Sequence, residues 1–206
     1  MSQYTRQPPL DESALDADPL AQFTRWHEDA VRAGMIEPGA MTLATATPEG
    51  LPSARVVLFK GLHEGGLTFY TNYDSRKGDE LGRNPRAALV FWWDKLERSV
   101  RVEGRVEKLP RSMSEDYAQS RPRGSQLGAY TSRQSRRVGN RSELERRLAN
   151  NIAGLEGKAV PVPENWGGYL LRPETFEFWQ GQRDRLHDRL VYRAEGKGWR
   201  MERLEP

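Results

Sequence analysis

The chain has 206 residues, of which 36% are hydrophobic and 30% charged, with 32 basic against 29 acidic side chains and a net charge of +3. That length suits one folded domain of about 100 to 200 residues, and the balance of apolar and charged residues argues against disorder. The absence of cysteine excludes disulfides, thiolate nucleophiles and cysteine-ligated metal centres, so any redox chemistry must use a cofactor.

Residues 1–17 are polar, rich in turn formers and without apolar period, which reads as a flexible N-terminal arm. They also lack the pattern of a signal peptide, and no stretch approaches the ~18 apolar residues of a membrane span. A cytoplasmic location and no membrane partner are expected. From Asp18 the pattern changes: Asp18 is placed to cap a helix, Pro19 to occupy its first turn, and Leu20, Phe23, His27, Ala30 and Val31 recur at helical spacing up to Gly34. His27 then belongs to the inward face as a satisfied core or boundary histidine.

From residue 41 the segments "MTLATAT", "LPSARVVLFK", "GLTFYTN" and "RAALVFWWD" are short β-branched and aromatic runs punctuated by turn residues. "SVRVEGRVEKL" alternates Val100, Val102 and Val106 with Arg101, Glu103, Arg105 and Glu107, as a strand with one wet face does. These five strands read as an antiparallel meander. Helical patterns follow at "RSMSEDYAQS" and "RSELERRLANNIAGL", then three strand-like runs from Trp166 onward. The expected architecture is a mainly β, α+β protein: a closed or nearly closed barrel carrying peripheral helices.

No metal-ligand spacing, nucleophile elbow, P-loop or dinucleotide fingerprint occurs, so no metal is expected. Arginine supplies 26 of the 32 basic residues, and its planar fork suits phosphate and carboxylate. Clusters fall where strands end: Arg55 and Lys60; Ser75, Arg76 and Lys77 at a strand-to-helix junction; and Arg121, Arg123, Ser125, Gln134 and Ser135. A helix beginning at Ser75 would add backbone N–H groups and a dipole favourable to an anion. The eight arginines between residues 121 and 147 also suit a nucleic-acid backbone. That reading ranks second, because the net charge is small and the aromatics lie in runs that look buried. In "QRDRLHDR", Arg185, His187 and Arg189 alternate, so an extended segment would aim them to one side, with Leu186 and Asp188 opposite.

"RVVLFK", "FYTNYDSRK", "SRPRGSQLGAY", "RQS", "WGGY" and "EFWQGQRDRLHDR" occur in the order seen in the pyridoxine (pyridoxamine) 5′-phosphate oxidases, which the chain resembles from about Asp18 to Pro206. The resemblance implies a single FMN-binding split β-barrel domain over residues 18–206, acting as a homodimer with FMN at the subunit interface. It implies FMN contacts from Arg55, Val56, Lys60, Tyr70, Thr71, Arg76, Lys77, Ser99, Gln134, Ser135, Trp179 and Arg189. Substrate contacts would come from Lys60, Tyr117, Arg121 and Ser125 around a phosphate, and from Arg185 and His187, the catalytic candidates, against a pyridine ring. Asp188 reads as a structural partner for a neighbouring arginine.

The implied reaction oxidises pyridoxine or pyridoxamine 5′-phosphate to pyridoxal 5′-phosphate, with dioxygen as final acceptor. Ser99 departs from the pattern, since many relatives carry there a glutamine that contacts FMN. Tyr4 is kept as a possible lid residue, but the basic residue expected shortly before it is missing. The alternatives are another flavin-dependent reductase, or a non-catalytic flavin- or haem-binding barrel of the same superfamily.

Overall fold

The computed structural model describes Tyr4 and residues 7–206. Helix α1 spans Pro19–Arg32, with the Asp18 carboxylate accepting from Leu20 N and Pro19 in its first turn. Its buried stripe is Pro19, Gln22, Phe23, Trp26 and Ala30. Val31, expected on that stripe, is 53% exposed, because Trp26 turns the buried face toward itself. Phe23 packs on Phe91 (4.9 Å) and edge-on to Phe59 (5.3 Å), and Trp26 edge-on to Phe178 (5.2 Å). His27 packs near Phe59 and Trp93, but its Nε2 is buried with no partner among the described residues. The expected satisfied histidine is thus an unsatisfied one, and burial pushes its pKa down.

Among the described residues nine strands follow: β1 Ala40–Ala46, β2 Pro52–Leu58, β3 Leu62–His63, β4 Gly66–Asn72, β5 Arg86–Trp93, β6 Arg98–Lys108, β7 Trp166–Gln180, β8 Asp188–Glu195 and β9 Gly198–Arg203. All pairs are antiparallel, but the order β2-β1-β5-β6-β7-β4-β3 is not the expected meander. β4 keeps a short local pairing with β3, but its other neighbour is β7, about a hundred residues later, rather than β5, the next strand in sequence. Local alternation tells a strand from a helix but carries no information on its partner. Strand pairing does not close the sheet. The gap is narrowed where β2 runs on, through Lys60 N to Thr68 O and Thr68 N to Gly61 O.

The core follows the alternation: Val100, Val102 and Val106 are buried together with Leu43, Phe69, Leu89, Phe91, Leu171, Phe176 and Phe178. β6 shifts register at Glu103/Gly104. At Gly104 a Cβ would lie 1.9 Å from Arg172 O, so only glycine fits that bulge.

Four further helices cover the sheet: α2 Arg76–Arg83, α3 Arg111–Ser120, α4 Arg123–Thr131 and α5 Arg141–Gly154. α4 was not expected, because "RGSQLGAYT" has two glycines and little apolar period; it forms behind Pro122 and buries Leu127 and Thr131. The basic stretch is largely answered within the chain: Arg123 donates to Leu155 O and Lys158 O, Arg136 to Asp74 O, Arg141 to Glu145 and Arg147 to Glu143.

Residues 7–17, read as part of an arm, are tied to the last strands. Leu10 N donates to Asp188 Oδ2, Arg203 to Glu12, and Tyr192 Oη to Asp16 O. Leu10 and Leu15 pack against the core, a contact that non-periodic spacing cannot signal. The rest of the arm's first six residues, apart from Tyr4, lies outside the described residues. Among the described residues no helix is long and apolar enough to cross a membrane, and no cluster of metal-ligating side chains occurs.

Candidate active site

A cleft of about 380 Å³ opens where β2 and β4 meet α3, α4 and the segment after α4. Its floor is set by α2. Ser75 caps that helix, its Oγ accepting from Gly78 N (3.4 Å). At Gly78 a Cβ would stand 2.0 Å from Tyr73 O, so glycine lets the helix seat against the strand end. Lys77, on the first turn, is buried, and its Nζ donates to Thr71 Oγ1 (3.1 Å) and Gln134 Oε1 (2.9 Å). Burial, with the Arg55 charge nearby, pushes its pKa down.

One wall is aromatic. Tyr70 stacks on Tyr117 at 4.0 Å and on Trp166 at 5.7 Å, and the Arg121 guanidinium lies 4.9 Å over the Trp166 ring. The "WGGY" segment explains the fit: at Gly168 a Cβ would meet Leu109 Cδ1 at 2.5 Å and Tyr70 Cε1 at 2.8 Å. Lys60 stands exposed at the lip, and Val56, 69% exposed, lies on edge strand β2. Val56, Lys60, Tyr70, Thr71, Lys77, Tyr117, Arg121 and Gln134, scattered over 79 positions of sequence, therefore share one cavity.

Arg55 and Arg76 do not line it. Both are held from behind by Glu80, a carboxylate on α2. Ser125 is exposed on α4, and Ser135 occupies a left-handed backbone position (φ 68°) next to Gln134; neither lines the cavity.

A second cleft, about 420 Å³, lies on the outer face of β5, β6 and β7 and is lined by Tyr4, Val90, Trp92, Ser99, Arg101, Glu177 and Trp179. Register fixes this row: Ser99 stands between Trp92 and Trp179, and Trp179 faces Arg189. Arg189 is clamped by the buried Glu177, Nε to Oε1 (2.8 Å) and Nη2 to Oε2 (3.2 Å), and that carboxylate raises the guanidinium pKa. Asp188 pairs with Arg203 (2.6 Å), the structural role expected of it.

"QRDRLHDR" is not the extended face its alternation suggests. Arg183–Arg185 form a 3₁₀ turn, with Asp184 (φ 56°) and Arg185 (φ 63°) both left-handed, and β8 begins only at Asp188. Polar residues able to accept the left-handed region and bonds back to the turn override the two-residue period. Arg185 is exposed. His187 leans on Trp179 (4.8 Å) and Tyr4 (5.6 Å), and its Nδ1 accepts from Gln182 N (3.1 Å), leaving Nε2 to carry the proton of the neutral ring.

Sequence reasoning missed Trp166, Glu80 and Glu177. "WGGY" marked the first, since two glycines beside an aromatic signal close packing. The glutamates carried no signal, because a buried carboxylate on a helix or strand is written like an exposed one.

Fold and cleft together define a split-barrel protein whose main cavity joins cations to stacked rings, a setting for a phosphorylated, ring-bearing ligand. Residues 27–150 match the family model described as pyridoxamine 5′-phosphate oxidase, and residues 166–206 the pyridoxine 5′-phosphate oxidase C-terminal dimerisation region. The chain belongs to the pyridoxamine 5′-phosphate oxidase family, FMN-dependent oxidoreductases. It is 57% identical over 204 residues to the pyridoxine/pyridoxamine 5′-phosphate oxidase of Rubrobacter xylanophilus, covering 99% of this chain and 94% of that protein. The oxidase of the same name from Cupriavidus pinatubonensis is 54% identical, covering 96% and 93%. Among solved structures, PhzG from Burkholderia lata, in complex with tetrahydrophenazine-1-carboxylic acid, superposes with a TM-score of 0.90 at 32% identity, covering 96% of this chain and 98% of that one.

Proposed function

We propose that the chain oxidises pyridoxine 5′-phosphate and pyridoxamine 5′-phosphate to pyridoxal 5′-phosphate, as a cytoplasmic homodimer serving vitamin B6 synthesis and salvage. The observation that carries this reading is the convergence of Lys60, Lys77, Arg121 and Gln134 with Tyr70, Tyr117 and Trp166 on one cavity. The residues present fit FMN. A buried lysine held by three oxygens at a helix N-terminus suits its phosphate, and an exposed edge strand suits a flat polar ring. When bound, FMN supplies a two-electron acceptor for the hydride leaving the substrate's C4′ carbon, and dioxygen restores it with release of hydrogen peroxide.

The chain's own residues supply binding and alignment. Lys77, with Thr71 and Gln134, would hold the cofactor phosphate, and Val56 with Tyr70 the isoalloxazine side. Lys60, Arg121 and Tyr117 would neutralise the substrate phosphate, so that binding energy far from the reacting carbon orients it. Arg185 and His187 would position the pyridine ring, His187 donating from Nε2. The second cleft, with Ser99, Trp179 and Arg189, opens on another face of the same chain and includes part of the dimerisation region. That arrangement supports a site completed by the partner subunit, with FMN between the two.

An aerobic assay with each phosphorylated vitamer, following aldehyde and peroxide together, tests the reading. Purified yellow protein should form both in equal amounts. Flavin-loaded protein that turns over neither vitamer would remove it.

A further inference from the structure

Glu80 is 2% exposed in the middle of the basic cluster behind the first cavity. A buried carboxylate is costly unless it is paired and hydrogen-bonded. Here both oxygens are engaged. Oε2 accepts from Thr45 Oγ1 (2.5 Å), Ser53 Oγ (2.6 Å) and Arg55 Nη2 (3.2 Å), and Oε1 from Arg76 Nε (2.9 Å).

Arg55 closes a ring with the same groups, donating Nη1 to Thr45 Oγ1 and Leu43 O, and Nη2 to Ser53 Oγ. One carboxylate thus ties β1, β2 and α2 together, and β2 and α2 are the elements that bring Val56 and Lys77 to the cavity. Burial by itself would raise its pKa, but four hydrogen bonds together outweigh that and lower it from 4.5 to about 2, which favours the ionised form. Three cations, Arg55, Arg76 and Lys77, stand against this single anion, leaving the two positive charges that a phosphate monoester dianion would balance.

We propose that Glu80 is a positioning residue for the cofactor-phosphate subsite: it fixes Arg55 and Arg76 as a pair directly behind the β2 and α2 residues that line the cavity. This rests on the reading of FMN as resident cofactor. Without the carboxylate, the two guanidiniums repel each other, the Thr45 and Ser53 hydroxyls lose their acceptor, and the arginines turn to solvent. The effect belongs to the phosphate and not to the ring.

The test titrates flavin-free protein with FMN and with riboflavin, which differ only in the phosphate, reading flavin fluorescence. Wild type should prefer FMN. Glu80→Gln keeps the shape but not the charge, and should weaken FMN about tenfold or more while riboflavin changes by less than about twofold. Ser53→Ala keeps the carboxylate but breaks one link to Arg55; it should cost FMN about threefold and serves if the glutamine variant does not fold. An unchanged preference for FMN in both variants overturns the proposal. Equal losses for both flavins overturn it too, since they mark a general structural role. Wild-type protein that binds neither flavin removes the cofactor reading beneath it.

Discussion

Around Lys77 the polar atoms are arranged before any ligand arrives. The ammonium is buried on Thr71 and Gln134, and two arginines beside it are held by Glu80. Around Arg185 the plan is opposite: the side chain is exposed, on a turn whose two adjacent left-handed residues each cost about 1 kcal/mol or more. That turn persists because its base is fastened, Gln182 to His187 and Asp188, and Asp188 to Arg203. The difference separates two tasks. On the function proposed above, a stiff cradle would hold charge that does not change during a reaction, whereas a strained, outward turn would present groups that meet the substrate only once it is bound.

The sharpest way to break this comparison is Arg185→Ala. It should leave FMN bound, with an unchanged flavin spectrum, and lower kcat about 100-fold. Loss of flavin instead would place Arg185 in the cradle. Lys60→Ala acts at the lip of the cradle and should raise KM for the phosphorylated vitamer about tenfold with kcat nearly unchanged. Steady-state kinetics showing the reverse split would assign Lys60 to the chemical step.

Gly168→Ala tests how stiff the aromatic wall is. The added methyl collides with Tyr70 and Leu109, so thermal unfolding should show a loss of about 1–3 kcal/mol. An unchanged melting temperature would mean that the wall yields easily.

The smallest effect is expected away from both regions, at His27. Burial lowers its pKa from 6.5, so folding favours the neutral ring. The stability this gives is complete above the unfolded value and is lost as pH falls through it toward the lowered folded value. His27→Phe should flatten the decline in stability between about pH 7.5 and 5.5, by less than about 1 kcal/mol. Denaturant titrations at the two pH values compare the slopes.

How much was legible varies from residue to residue. Asp18 and Pro19 announced α1, and Ser75 announced α2, because caps act on backbone groups within the next three positions. The valines of β6 announced their face for the same local reason. α4 and the turn at Arg183–Arg185 escaped, since one forms on weak propensity under tertiary contact and the other on backbone angles that side-chain alternation does not encode. Of the first cavity's lining, the motifs pointed to Val56, Lys60, Tyr70, Thr71, Lys77, Tyr117, Arg121 and Gln134. They did not say that Arg55 and Arg76 face Glu80, or that Ser99 and Trp179 lie in a cleft of their own.

By itself the sequence determined composition, the kinds and limits of most elements, the exclusion of cysteine chemistry, and the family, all of which depend on residue identity or on neighbours a few positions apart. The tertiary structure alone decided that β4 pairs with β7, that residues from Val56 to Gln134 share one cavity, and that two buried glutamates hold four arginines. These are long-range pairings, selected by packing a common core and by the cost of burying an unpaired charge.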